Sequence, residues 1–341
     1  MKFEKFLKIS NKKYISNNHP VFIIAEIGVN HEGNYRKCLK LINLANKAGA
    51  DAIKIQSYTP YTMTIDSEKE DFIIKDGLWK GYKLFDLYNQ AHTPFEWHKE
   101  LFNHAENEKI LLFSSPFDES AVDLLEELNT PAYKVASFEL CDLPLIKYIA
   151  KTTKPILMST GMASIKDIEE AVTTAKNNGC NDIFLFHCIS AYPAPLRDAN
   201  LKNISYLKKK FNLEVGLSDH TIGNTASIAA ISLGASAIEK HFCISREFGG
   251  PDSNFSIEPI ELKNLKEITK EVWQSLGSSK FGRSKIEMKN KIFKRSLYFV
   301  KSKNKGEYIT KEDIKRIRPG FGISPKYEDQ IIGKILKKNV E

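Results

Sequence analysis

From Val21 onward, apolar runs of six to eight residues recur along the chain, bounded by glycine or polar residues. They fall at Val21–Gly28, Ala52–Ser57, Leu111–Phe117, Ala132–Phe138, Pro155–Thr160, Asp182–Cys188, Glu214–Asp219 and Ala237–Phe242. Runs that are apolar on both faces predict buried parallel strands. Most gaps hold one amphipathic segment with helical spacing, as at Asn34–Ala48, Asp118–Leu128, Ser164–Asn178 and Thr225–Leu233, and Glu258–Leu276 follows the last strand. Eight such units over about 250 residues predict an α/β fold, a (β/α)8 TIM barrel over residues 1–276. A doubly wound open sheet is the alternative. It would carry a glycine-rich phosphate turn after its first strand, and Gly28-Val-Asn-His-Glu-Gly33 does not match that fingerprint.

Two stretches break the regularity. Nearly forty residues separate Ser57 from the helix near Glu96, and a connection of that length at the top of a barrel predicts a lid or specificity element. Residues 277–295 read as a linker. Beyond it, Ser296–Glu341 predicts a small unit of short strands turning at Lys305-Gly306-Glu307 and Arg318-Pro-Gly-Phe-Gly322. A unit of about 45 residues is marginal alone, so it is expected to dock on the barrel or on a partner chain.

Composition narrows the class. With 42% hydrophobic and 27% charged residues the chain is of ordinary globular type. No apolar run reaches the roughly 18 residues that span a bilayer, and residues 1–18 lack the apolar core of a secretory signal. The five cysteines are scattered without a C-x-x-C pair, which predicts reduced thiols and a cytoplasmic protein. The net charge of +8 includes lysine runs at 208–210 and across 280–305. A solvated linker accounts for the second run, so no nucleic-acid partner is expected. A non-catalytic binding protein using that run is the reading from another class, and steep salt dependence would mark it.

The chemistry gathers at the carboxyl ends of the predicted strands, where a barrel builds its site. Those ends supply Glu26, Lys54 and Gln56, Ser115, Lys134 and Ser137, Ser159, then His187 or Ser190, Ser218 and His220, and Glu239 and His241. Lysines with several hydroxyls describe an anion site for phosphate and carboxylate. His220 and His241 would converge if their strands are neighbours, and two imidazoles suit a divalent metal that polarises a carbonyl. Two core histidines, each hydrogen-bonded, are the alternative. Glu26 is a candidate general base. The residues alone thus point to a metal-assisted barrel enzyme acting on a phosphorylated carboxylate and a carbonyl, without choosing between an aldolase and an enolpyruvate condensation.

Longer motifs carry a resemblance. At Ile24-Ala-Glu-Ile-Gly-Val-Asn-His-Glu-Gly33, Ile53-Lys-Ile-Gln56, Phe113-Ser-Ser-Pro-Phe117, Ala132-Tyr-Lys-Val-Ala-Ser-Phe-Glu139, Leu157-Met-Ser-Thr-Gly-Met162, Gly216-Leu-Ser-Asp-His220 and Ile238-Glu-Lys-His-Phe242 the chain resembles the sialic acid synthase family. The C-terminal part resembles that family's antifreeze-like (SAF) domain, although the chain ends soon after Gly333, short of where that domain usually finishes. The resemblance implies condensation of phosphoenolpyruvate with an N-acetylated amino-sugar, releasing phosphate by C–O cleavage. It implies a divalent metal, manganese or magnesium, on His220 and His241. It also implies phosphoenolpyruvate held by Lys54, Ser115, Lys134, Ser137, Ser159 and Ser218, and Glu26 as the acid/base group. Gln56, Tyr192 and Asp252 would face the sugar. In a homodimer the SAF domain would cross to the partner's site and lend it Arg318. Ser190 stands where the family carries asparagine, and Ser115 where it carries threonine.

Ile53-Lys-Ile-Gln-Ser-Tyr-Thr-Pro60, the run from Glu70 to Trp79, and Gly249-Gly-Pro-Asp-Ser-Asn-Phe-Ser256 resemble the pseudaminic acid synthase branch. Its acceptor is 2,4-diacetamido-2,4,6-trideoxy-altrose. An apolar segment with Phe72, Ile73, Ile74, Leu78 and Trp79 suits a deoxy sugar with an extra acetamido group, or is plain lid packing. A legionaminate or N-acetylneuraminate synthase is the alternative within the family.

Overall fold

The computed structural model describes residues 7–10, 13–77, 79–277 and 281–341. It divides into two units, Met1–Gly277 and Ser278–Glu341. The first begins with an antiparallel hairpin, β1 (Leu7–Ser10) and β2 (Lys13–Ile15). Eight parallel strands follow: β3 (Phe22–Glu26), β4 (Ala52–Ser57), β5 (Leu111–Pro116), β6 (Tyr133–Val135), β7 (Ile156–Ser159), β8 (Ile183–Cys188), β9 (Glu214–Asp219) and β10 (Ala237–His241). They close in sequence order, with β10 pairing both β9 and β3. That closure excludes the open sheet.

The surrounding helices are α1 (Tyr35–Lys47), α2 (Pro60–Met63), α3 (Leu84–Ala91), α4 (Phe95–Asn107), α5 (Glu119–Glu127), α6 (Leu143–Ala150), α7 (Ile165–Asn177), α8 (Lys202–Phe211), α9 (Thr225–Ser232) and α10 (Pro259–Leu276). Several start where side chains satisfy the free amides of the first turn, as Asn34, Asp118 and Ser164 do for α1, α5 and α7. No described helix is long and apolar enough to cross a membrane. All five cysteines are free thiols.

Alternation along each strand splits the core in two. Outward residues such as Ile23, Ile53, Val135 and Leu185 pack under the helices in the main cluster. Inward residues Phe22, Ile24, Phe113, Leu157, Phe184 and Phe186 fill the barrel and meet Leu7, Ile9 and Ile15. The hairpin therefore plugs the end where the strands begin. Two strands of four and three residues show too few alternations to register in the sequence, so the hairpin is absent from the predicted elements. Gly216 gives the inward phenylalanines their room: a Cβ there would stand 2.8 Å from Phe186 and 2.5 Å from the Ala237 carbonyl oxygen.

The second unit contains α11 (Lys285–Lys289), β11 (Ser296–Phe299), β12 (Ile314–Ile317) and α12 (Glu328–Ile331). Residues 278–280 of the expected linker lie outside the described residues, and its remainder includes α11. β11 and β12 pair antiparallel over a small core of Leu297, Ile309, Ile314 and Leu336.

Between β9 and β10 the outward residues form a buried ion pair. Lys240 Nζ donates to Asp219 Oδ2 at 2.9 Å and to the Thr221 carbonyl at 2.7 Å, with the two side chains 0% and 1% exposed. Ser227 and the Thr221 amide donate to the same carboxylate. Lys240→Met should cost about 3–5 kcal/mol by stranding the Asp219 charge. Urea unfolding measures it, and Lys240→Met with Asp219→Asn should recover part of the loss.

Candidate active site

The carboxyl ends of the strands open into a cavity of about 550 Å³. Register decides which side chains enter it. Glu239 pairs with Ser218 and Lys240 with Asp219, so Ser218, His220, Glu239 and His241 all face the interior while Asp219 and Lys240 face out. Ser218 and Glu239 are thus on one common surface, and the Ser218 hydroxyl donates to Glu239 Oε1 at 3.1 Å. The imidazoles of His220 and His241 stand 5.2 Å apart between ring centroids.

At the floor lies a network of buried charge. Lys54 Nζ sits 2.7 Å from Glu26 Oε2 and 3.4 Å from Glu239 Oε1. Burial opposes its charge, but the two carboxylates overcome that and hold it protonated. Lys134 donates to Ser159 Oγ at 2.6 Å, and burial pushes its pKa down. Burial likewise opposes the charge on Glu239, yet Lys134 and Lys54 keep it ionised, at about 2. Ser137 Oγ accepts the Gly161 amide at 3.1 Å, close to Ser190. A Cβ on Gly161 would fall 2.1 Å from Ser190 Oγ and 2.7 Å from Ser137 Oγ, so any other residue there would displace these two hydroxyls.

The expected residues are placed as follows. Lys54, Gln56, Lys134, Ser137, Ser159, Tyr192, Ser218, His220, His241 and Asp252 line the cavity. Ser115 does not. It lies behind Lys54, which donates to it at 3.4 Å. Glu26 also lies outside the cavity lining, fully buried with Gln56 donating to Oε1 at 3.1 Å and Lys54 on Oε2. A carboxylate so engaged is a charge anchor, a setting unlike that expected of a free proton carrier. Of the two choices at the end of β8, Ser190 enters the cavity. His187 points outward and bonds the Ala199 carbonyl at 2.7 Å. Arg318 is exposed in the second unit. In the lid segment Ile74 and Trp79 reach the cavity, and Leu78 lies outside the described residues.

A two-histidine metal site fits the donors. The Ile189 carbonyl can only accept, so the 2.9 Å contact fixes the proton of His220 on Nδ1 and leaves Nε2 as the ligand nitrogen. His241 Nδ1 is 3.1 Å from Asp252 Oδ2 but makes no well-aligned hydrogen bond. Among the described residues no third His, Cys, Asp or Glu joins a three-ligand cluster. Two imidazoles would leave the other positions to oxygen atoms of substrate and water. Other buried histidines serve the core: His98 bridges Ser57 and the Pro94 carbonyl, and burial lowers its pKa to about 4.

Reading strand ends missed Glu139. It lies four residues beyond β6 and lines the cavity, and its Oε2 is buried with no hydrogen-bond partner among the described residues. Burial pushes its pKa up to about 7, against weaker opposition from its own backbone amide and Lys134. The only sequence signal for it was its position at the end of the Ala132–Glu139 motif.

Comparison with known proteins agrees with this architecture. Residues 41–281 match the family model described as NeuB family. The chain is 45% identical over 321 residues to the pseudaminic acid synthase of Campylobacter jejuni subsp. jejuni (strain 81-176), covering 94% of each. It is 41% identical over 326 residues to the pseudaminic acid synthase of Helicobacter pylori, covering 94% of this chain and 96% of that one. The crystal structure of N-acetylneuraminic acid synthetase from Leptospira borgpetersenii, in complex with citrate, superposes with a TM-score of 0.76 at 31% identity, covering 84% of this chain and 95% of that one. A TIM-barrel enzyme of the synthase type is thus the class, and the chain belongs to the NeuB family.

Glu139 gives a pH prediction. Its folded pKa of about 7 lies above the ordinary 4.5, so the folded state holds the proton more tightly than the unfolded state. The stabilisation is present below the ordinary value and is lost as pH rises toward the folded one. Glu139→Gln should remove that decline from urea midpoints measured across the window. An unaltered decline would assign it to another group.

Proposed function

We propose that this chain condenses phosphoenolpyruvate with 2,4-diacetamido-2,4,6-trideoxy-altrose to give pseudaminic acid and phosphate. The observation that carries the reading is the similarity to two pseudaminic acid synthases over 94% of the chain, joined to a cavity whose floor carries Lys54 and Lys134. Lysine ammonium groups and the hydroxyls of Ser137, Ser159 and Ser218 suit a phosphate and a carboxylate on one small molecule. Ser115 and Glu26 act behind them, through Lys54.

In the reaction, C3 of the enolpyruvate attacks the aldehyde of the open-chain sugar, and water adds at C2. The tetrahedral species then expels phosphate with its bridging oxygen. Water gives up one proton as it adds at C2 and the aldehyde oxygen takes one up; on collapse the new C2 hydroxyl gives up its proton and the departing phosphate takes one up. Glu139, a cavity-lining carboxyl with a pKa near neutrality, is suited to the transfers at water and at the aldehyde oxygen. Gln56, Tyr192 and Asp252 orient the sugar. A divalent ion held by His220 and His241, manganese or magnesium, would supply Lewis-acid polarisation of the aldehyde. The second unit is proposed to be an SAF domain that works across a homodimer, placing Arg318 at the partner's sugar site in a cytoplasmic enzyme.

Phosphate release with manganese tests the reading, using the diacetamido-trideoxy-altrose, its legionaminate-pathway counterpart and N-acetylmannosamine side by side. Release with the first alone is expected. Preference for another acceptor would keep the chemistry and overturn the branch. His220→Ala and His241→Ala should each abolish metal-dependent turnover while leaving the unfolding midpoint near that of the parent. Arg318→Ala should raise KM for the sugar far more than for phosphoenolpyruvate, and two unmoved constants would remove the cross-chain role.

A further inference from the structure

The lid segment carries a donor that the protein itself does not use. Trp79 Nε1 is shielded from solvent and finds no acceptor among the described residues, although it lines the cavity. Indole nitrogen can only donate, and an unpaired buried donor is costly unless a ligand completes it. The loop around it is held in shape. The Ile74 amide donates to the Tyr82 carbonyl at 2.9 Å and the Gly81 amide to the Ile74 carbonyl at 2.8 Å. Lys83 closes the base with contacts of 2.8 Å to Asp66 and 2.9 Å to Glu68.

The position of the ring relates this donor to the reacting carbon. Trp79 packs on Tyr192 with centroids 5.9 Å apart, and Tyr192 packs on His220 at 4.5 Å. Trp79 is therefore one ring further from His220 than Tyr192 is. The cavity lining also includes the apolar side chains of Ile74, Leu84 and Leu87. A hydroxyl oxygen and an amide carbonyl can both accept from the indole N–H, and the carbonyl is the stronger acceptor of the two. An acetamido group brings a carbonyl that accepts and a methyl that the apolar wall covers.

Resting on the function proposed above, we infer that Trp79 is a specificity-determining residue whose indole N–H donates to the carbonyl oxygen of the acetamido group at C4 of the acceptor sugar. The C4 substituent is the more distant of the two acetamido groups from the reacting C1, as Trp79 is the more distant of the two rings from His220. Phosphoenolpyruvate, held at the lysine floor, takes no part in this contact.

The test is Trp79→Phe, which keeps an aromatic ring and deletes the N–H. Steady-state phosphate release would be measured with the diacetamido sugar and with its analogue carrying a hydroxyl at C4. With the diacetamido sugar, kcat/KM should fall roughly 5- to 100-fold, mainly through KM, as expected for one lost buried hydrogen bond. KM for phosphoenolpyruvate should stay within twofold, and the C4-hydroxyl analogue should lose less than twofold. Equal losses with both acceptors would mean that Trp79 only supports the lid, and undiminished turnover would mean that it makes no contact; either overturns the inference alone. A parent enzyme that ignores the diacetamido sugar overturns the proposed function and this inference with it.

Discussion

Asp219 and Lys240 form the contact on which the rest of the site depends, though neither touches the cavity. They are the outward-facing neighbours of Ser218 and His220 on β9 and of Glu239 and His241 on β10. Because side chains alternate with a period of two, a slip of one residue would turn both histidines into the helical shell. A lysine paired with one carboxylate and one carbonyl, where no water can replace either, makes that slip costly. A buried pair of this kind contributes less to stability than to choosing one register over another. In this barrel the register is what brings the histidines together.

Inside the barrel the same logic is applied with less compensation. Lys54 is held between Glu26 and Glu239, and Lys134 leans on Ser159 and the Val135 carbonyl. The two carboxylates keep Lys54 charged where burial alone would oppose it, whereas burial prevails at Lys134 and lowers its pKa. Glu139 Oε2, Glu239 Oε2, Ser190 Oγ and Trp79 Nε1 find no hydrogen-bond partner among the described residues, and all belong to residues that line the cavity. A fold built only for stability would have satisfied them. Other unpaired atoms, such as Asn30 Oδ1 and Asn224 Oδ1, lie away from the lining, but those in the cavity are groups that a bound ligand could pair.

The barrel itself was legible in the sequence. Strands buried on both faces read as apolar runs, and the predicted runs agree with the observed strands within about one to three residues at each end. Helix caps such as Asn34 and Ser164 left equally local signals. The gathering of lysines and serines at the cavity was legible too, because those side chains are placed at the strand ends by the chain's own periodicity. Local patterning determined these features by itself, since each depends on residues only a few positions apart.

Tertiary structure decided the rest. A strand apolar on both faces has no alternation to reveal which residues point inward, so the choice of Ser190 over His187 required the closed sheet. Glu26 reads as a base by type and becomes an anchor only once Lys54 and Gln56 are seen on its two oxygens. Glu139 lies on a loop beyond its strand, and its raised pKa arises from burial that distant segments supply. Trp79 is one more lid aromatic until the absence of an acceptor around its nitrogen can be observed. The sequence alone determined where strands and helices form and which chemical groups they carry; which of those groups meet, and which are left for a ligand, depends on contacts between residues far apart in the chain.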